Sequence, residues 1–514
     1  MTVSQNNTAG EFQIDINSIQ NRHNSSDKHN NNQQHWSEFL AKPDLNSDKS
    51  KITILQGGLT AAQDKLFEAT LISLGYNCKK LDVPDNDSFH HGKEYGNRGQ
   101  CNPTYFTVGN LIKHLCKLRD EEGLSSETIV KNYIFLTAGG CGPCRFGMYI
   151  TEYRKALRDA GFNGFRVISF QNDGGLDQSE NNSTIIFNLP FFMAVLRAVV
   201  VGDILNVIAT RMRPYEIEPG STDKAIEKSL SIVYDAIKSK KSIFMALIRC
   251  RKVLKKVALN YNQAKPKVII MGEFWAITTE GDGNYHLQRF LEEEGAECNI
   301  SIVTNRALHN LWENKFNLSS TMMLEDNQLP EGIKFDFETP KKLLILNIAE
   351  KGIKSFFAIC ASLTGLKDYK LSNMNKLGKI SGQYYPHELQ GGEGHLEVAY
   401  LIDAVEKNKS HMVISIKPFG CMPSSGVSDG VQSLVTAQYP QANFLAVETS
   451  GDGAVNAQSR IQMALFKARK KAQDEYEDSN NLSLPTAQHN FLQYPKKSKK
   501  YACTAANKTR QFAI

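Results

Sequence analysis

The segment YIFLTAGGCGPCR, residues 133–145, runs from an uncharged apolar stretch into a glycine-rich turn that carries two cysteines. Tyr133–Ala138 reads as a buried strand and Gly139-Gly140 as the turn that ends it. The next pattern is helical as far as Ala160 and stops at Gly161, after which Phe165–Phe170 is again strand-like. Strand, glycine loop, helix and strand in succession point to a parallel sheet covered by helices.

The same unit appears on both sides of this segment. Upstream, KITILQ (Lys51–Gln56) reads as a strand, followed by Gly57-Gly58 and a helix from Ala61 to Leu74. Downstream, residues 185–262 read as mainly helical. A second α/β segment then opens with Lys267–Met271 and continues through Cys298–Val303. A helical block lies around 340–365. Strands at Met412–Ile416 and Asn443–Val447 precede a closing helix from about Val455 to Glu475. The expected fold is α/β, with two parallel-sheet domains joined by helical segments. The 514 residues fit two or three domains at roughly 150 residues each. The first domain is placed at 51–210, a helical connector at 211–265 and the second domain at 266–478. Residues 1–50, rich in Asn, Ser, Gln and His, and residues 479–514, with the basic run PKKSKK, are expected to be disordered tails.

Charge and hydropathy exclude two classes of partner. Sixty basic against 54 acidic residues give a net charge of +6, too mild for nucleic acid to be the main partner. The most apolar stretch, Phe191–Ile208, is interrupted by Arg197, Asp203 and Asn206, so it is assigned to a protein core and no membrane contact is expected. The first twenty residues have neither the basic start nor the apolar core of an export signal. A cytoplasmic location follows, in which thiols stay reduced or bind metal.

Six of the ten cysteines have simple explanations. Cys78, Cys116, Cys250, Cys298 and Cys360 lie among apolar residues on predicted strands or helices and are read as core. Cys503 lies in the polar tail and is read as incidental. The other four, Cys101, Cys141, Cys144 and Cys421, sit in glycine-containing loops at strand ends or helix starts. In a parallel sheet such loops converge on one edge. Helix-start amides there favour a thiolate, and flanking glycines let the backbone approach an inorganic cluster. Three readings compete. Cys-Gly-Pro-Cys is a thiol–disulfide motif, though the tryptophan that usually precedes it is absent. Zinc favours a second close cysteine pair or paired histidines, which the sequence does not offer. An iron–sulfur cluster needs about four thiolates, which a fold can gather from scattered positions.

Four segments carry a resemblance. GQCNPTYFTVGNLI (99–112), LTAGGCGPCRFGMYITEYRKALRDAGF (136–162), GEFWAITTEGDGNYHLQRFLEEEGA (272–296) and PFGCMPSSGVSDG (418–430) resemble 2-hydroxyacyl-CoA dehydratase-like proteins. They are most similar to the dehydratase-like part of the large CoA-substrate-specific enzyme activases, in the same broad group as the double-cubane cluster proteins. The resemblance spans roughly residues 51–470. It implies an oxygen-sensitive protein with a [4Fe-4S] or double-cubane cluster, reduced by an ATP-hydrolysing activator. In the dehydratases that cluster drives ketyl-radical loss of water from a 2-hydroxyacyl-CoA, whereas double-cubane relatives reduce other small molecules. Carried over, the ligand candidates are Cys101, Cys141, Cys144 and Cys421. Arg145 is placed to offset cluster charge or hold an anionic substrate. The large fused relatives carry the ATPase in the same chain. Here no Gly-x-x-x-x-Gly-Lys-Ser/Thr segment occurs, and Gly451-Asp452-Gly453 lacks the third glycine of a dinucleotide loop. An activator acting in trans is therefore implied. No acyl-CoA pocket is recognisable, so an electron relay without catalysis and a metal-free Cys141/Cys144 oxidoreductase remain alternatives.

Glu273, Glu280, His286, His387, Glu393 and His395 complete the acid–base candidates. Glu393 is expected to be a solvated helix cap, and Glu273 and Glu280 to flank Trp275 as a substrate wall or an ordinary loop. The loops Glu280-Gly281-Asp282-Gly283 and Ser450-Gly451-Asp452-Gly453 echo one another and raise the question of a duplicated domain.

Overall fold

The computed structural model describes residues 52–139, 144–171, 185–327, 338–389, 392–480 and 501–510. Two four-stranded parallel sheets organise them, as the strand–loop–helix alternation leads one to expect. In the first, β1 (Thr53–Gln56), β2 (Asn77–Lys80), β3 (Tyr133–Gly139) and β4 (Arg166–Gln171) take the order β2-β1-β3-β4. In the second, β5 (Lys267–Gly272), β6 (Glu297–Ile300), β7 (Met412–Pro418) and β8 (Phe444–Thr449) take the order β6-β5-β7-β8. The two sheets share one strand order, whereas the acidic-glycine loops 280–283 and 450–453 both belong to the second domain, after β5 and β8. All seven residues of β7 are buried, Ser415 and Lys417 included, as suits a central strand of a parallel sheet covered on both faces.

Helices of the first domain begin at side-chain caps. Thr60 and Gln63 form a reciprocal capping box at α1 (Ala61–Ser73), and Asp85 and Ser88 form another at α2 (Asn86–Tyr95). α2 lies directly against α3 (Asn102–Asp120), and two glycines make that approach possible. A Cβ on Gly109 would lie 1.7 Å from the Ser88 carbonyl oxygen, and one on Gly92 would lie 1.9 Å from that of Tyr105. This backbone-to-backbone crossing fixes where α3 starts, and therefore where Cys101 stands. α4 (Tyr149–Asp159) packs beside α3, with Phe135 and Tyr153 in contact beneath it.

The connecting helices build a core of their own. Buried residues of α5 (Leu189–Met212), α6 (Ser221–Lys238), α7 (Ile243–Leu254) and α9 (Glu338–Thr364) pack with Leu66 and Ala69 of α1. Among the described residues, α5 with its continuation to Tyr215 is the one helix long and apolar enough to cross a membrane. Val200, Val201, Ile204 and Leu205 are nonetheless fully buried in this helical core. Asp203, the acid that interrupts the apolar stretch, accepts hydrogen bonds from the Val303 and Thr304 amides (3.2 and 2.7 Å) and caps α8 (Val303–Asn327). Its charge has a structural use inside the protein.

The C-terminal tail departs from its expected disorder. Tyr501–Asn507 is buried against α11 (Ala454–Asn480), and Cys503 is fully enclosed. The reason is polar. Lys267 and Glu297 form a buried ion pair at 3.0 Å, and Thr504 completes it, accepting from Lys267 Nζ at 3.0 Å and donating to Glu297. A buried pair needs such added hydrogen bonds. Residues 1–50, 481–500 and 511–514, where disorder is also expected, lie outside the described residues.

Candidate functional site

Three of the four singled-out cysteines are described, and each stands at the start of a helical turn. Cys101 is the N-cap of α3, Cys144 that of the short turn Arg145–Met148 after β3, and Cys421 that of the short helix Met422–Gly426 after β7. Cys141 lies outside the described residues. The facing edges of the two domains bring these turns together. The Asn102 amide donates to the Phe419 carbonyl at 3.0 Å, and the Asn102 side chain donates to the Thr449 carbonyl at 2.7 Å. Gly420 has a left-handed φ of +78°, and a Cβ there would meet Cys101 Cα at 3.1 Å. Only a glycine lets Cys421 follow so closely on Cys101. The Arg145 guanidinium donates to the Gly99 carbonyl and ties the Cys144 turn to the Cys101 loop. The charge-offsetting role expected of Arg145 is thus joined to a bracing contact.

Cys101 and Cys421 are buried and Cys144 is half-buried, and acids face Cys144 and Cys421. Cys101 Sγ lies 3.1 Å from both Thr104 Oγ1 and the Tyr149 hydroxyl. The Phe146 amide donates to Cys144 Sγ at 3.5 Å. Burial, with the nearby Glu273 and Glu393 charges, pushes the Cys144 thiol up to about 11 and raises Cys421 as well. Glu273 accepts from the Ala276 amide at 2.8 Å, and Glu393 pairs with Arg306 at 3.3 Å. Glu397 lies one turn further along α10 (Gly394–Glu406). One of its oxygens accepts from Ser424 Oγ at 3.0 Å, while the other is buried without a hydrogen-bond partner. Burial and mutual repulsion raise Glu273 and push Glu397 up to about 8; burial also raises Glu393, against the pull of Arg306. A narrow pocket adjoins them, lined in part by Gly272, Phe274, Arg306, Glu393, Glu397 and Tyr400. The arrangement offers thiol donors beside carboxylic acids that hold protons near neutral pH.

The remaining candidates separate. Glu393 occupies the N-cap position of α10 but makes no cap with its side chain and is buried, so the solvated-cap expectation is corrected. Its carboxylate is held by Arg306 instead. Trp275 packs on Phe106 across the domain junction, with ring centroids 5.4 Å apart, and forms no wall between Glu273 and Glu280. Glu280 faces a different pocket, shared with Asp203, Arg211 and Glu297. His286 pairs with Asp282 at 3.0 Å, and His387 and His395 belong to a cluster around Trp312. Cys78, Cys250, Cys298 and Cys360 are buried in apolar cores, and Cys116 packs against one.

Sequence reasoning misses Tyr149, Arg306 and Glu397. Glu397 was open to discovery, since it follows Glu393 by one helical turn. Tyr149 and Arg306 carry no local signal. Tyr149→Phe is expected to cost about 1 kcal/mol, the usual worth of one buried hydrogen bond. It is also expected to slow Cys101 alkylation in the metal-free protein, because the thiolate loses a hydroxyl donor, and equal alkylation rates would remove the hydroxyl–thiol contact from the account. The chain matches no known family and no curated protein.

Proposed function

We propose that the chain is a cytoplasmic iron–sulfur protein of the 2-hydroxyacyl-CoA dehydratase-like kind, doing low-potential reductive chemistry on a small molecule such as an acyl-CoA. An ATP-hydrolysing activator supplies its electrons in trans. The observation that carries this reading is the meeting of Cys101, Cys144 and Cys421, from both domains, at three helix starts beside buried acids. The donor set does not suit one tetrahedral ion. Among the described residues, the donors gathered within 4.8 Å of one another are not these thiols, whereas one tetrahedral zinc holds its sulfurs closer than that, given bonds of about 2.3 Å.

Bound there, a [4Fe-4S] or double-cubane cluster supplies one-electron reduction. Cys101, Cys144 and Cys421 would hold it, with Cys141, three residues before Cys144 in the sequence, the fourth candidate. The chain does the rest. Helix-start amides favour thiolate charge, and the Tyr149 and Thr104 hydroxyls lie against the Cys101 sulfur. Glu273 and Glu397 keep protons near neutral pH, ready for a reduced substrate. A metal-free Cys141/Cys144 oxidoreductase is less favoured, because such chemistry needs a lowered thiol pKa and that of Cys144 is raised.

The test is iron and acid-labile sulfide per chain after purification without oxygen, for wild type and Cys421→Ala. Four or more irons with matching sulfide, lost in the variant, are expected. No iron after anaerobic reconstitution would overturn the reading. Turnover with an added activator then separates an enzyme from an electron relay.

A further inference from the structure

A second group of metal-type donors lies apart from the cysteines. His309 and Glu313 stand one turn apart on α8, and His395 projects from the first turn of α10. One donor atom from each falls within 4.8 Å of the other two. His309 Nδ1 is 3.5 Å from Glu313 Oε2, and the His309 and His395 rings are 5.9 Å apart. Both histidines are almost fully buried. His395 Nε2 meets the Pro386 carbonyl at 3.1 Å, so that nitrogen carries the proton and Nδ1 keeps its lone pair. A carbonyl in that role is the usual orienting partner of a metal-bound histidine.

A positive charge already reaches into the group: the Arg306 guanidinium lies 2.8 Å from His309 Nδ1 and 4.0 Å from Glu313 Oε2. Its donation to Nδ1 leaves the lone pair of that nitrogen facing the group and puts the His309 proton on Nε2, which is buried without an acceptor. Arg306 has a second anchor in Glu393 at 3.3 Å, so it can be displaced from His309 without becoming unpaired.

We propose that His309, Glu313 and His395 bind a divalent cation of the zinc class, which replaces the Arg306 contact and fastens α8 to α10. Two imidazoles and one carboxylate suit borderline cations and leave a fourth position for water. Burial keeps both imidazoles neutral, the form that coordinates. The site holds no cysteine and is independent of the iron–sulfur reading.

The test is Co²⁺ and Zn²⁺ titration of the full chain, stripped of metal, in a Cys101→Ala/Cys421→Ala background. One Co²⁺ per chain is expected, with visible d–d bands, no thiolate charge-transfer band, and displacement by Zn²⁺. His395→Gln should weaken binding at least about tenfold, while exposed His286→Ala should not. Circular dichroism reports whether each variant folds; if His395→Gln does not, the cobalt spectrum of the background protein decides. No bound cation, a thiolate band, or binding unchanged in a folded His395→Gln protein would overturn the proposal.

Discussion

Gly109→Ala is expected to lower folding stability by about 3 kcal/mol or more, at the upper end of what overpacking costs. The added methyl has nowhere to go, because the Ser88 carbonyl oxygen would lie 1.7 Å and the Gly92 nitrogen 2.4 Å from its carbon. Both obstacles are backbone, so no side-chain rotation relieves them and α2 must part from α3. The loss should appear as a lower urea midpoint at an unchanged slope. Gly123→Ala is the control. Gly123 has φ of +73° but no atom within 4 Å of a new Cβ, so it should cost only about 1–2 kcal/mol of backbone strain. Equal losses at the two positions would refute the packing argument. The same displacement moves the start of α3, so on the proposed iron–sulfur reading Gly109→Ala should also lower iron content wherever it remains folded.

The second large effect concerns Glu397. Burial lifts its carboxyl from 4.5 to about 8, equivalent to about 5 kcal/mol between its two ionisation states. Between those pH values the native carboxyl keeps its proton while the unfolded chain has released it. Stability therefore falls as pH rises through this window, by up to about 1.4 kcal/mol per pH unit for this group, and levels off above 8. Glu397→Gln keeps the shape and the Ser424 contact but cannot ionise. The variant should lose this part of the slope and be more stable than wild type at pH 8 by a few kcal/mol. Urea unfolding at pH 5.5 and 8.5 checks this, and parallel pH profiles for the two proteins would rule it out.

The fold was legible because its determinants are local. KVIIM and YIFLTA are apolar enough to be central strands wherever they occur, and glycines mark their ends. The core cysteines were legible for the same reason. The burial of Tyr501–Asn507 was not, since a polar, lysine-flanked segment gives no hint that Lys267 and Glu297 need Thr504. The positions of Cys101, Cys144 and Cys421 at helix starts could be read from glycine and strand context alone. Arg306 and the His309–Glu313–His395 group could not, because their partners arrive from separate helices.

The donors at the junction are shared unevenly: Cys101 and Cys144 come from the first domain and Cys421 from the second. Neither half alone can offer the whole set. Any guest held by all three binds only the docked pair, so its affinity and the docking equilibrium are reciprocally linked. Chelation should then loosen the clasp before it melts either half, with hydrogen exchange rising first at the Asn102 amide, which donates across the junction to the Phe419 carbonyl, while β3 and β7 stay protected.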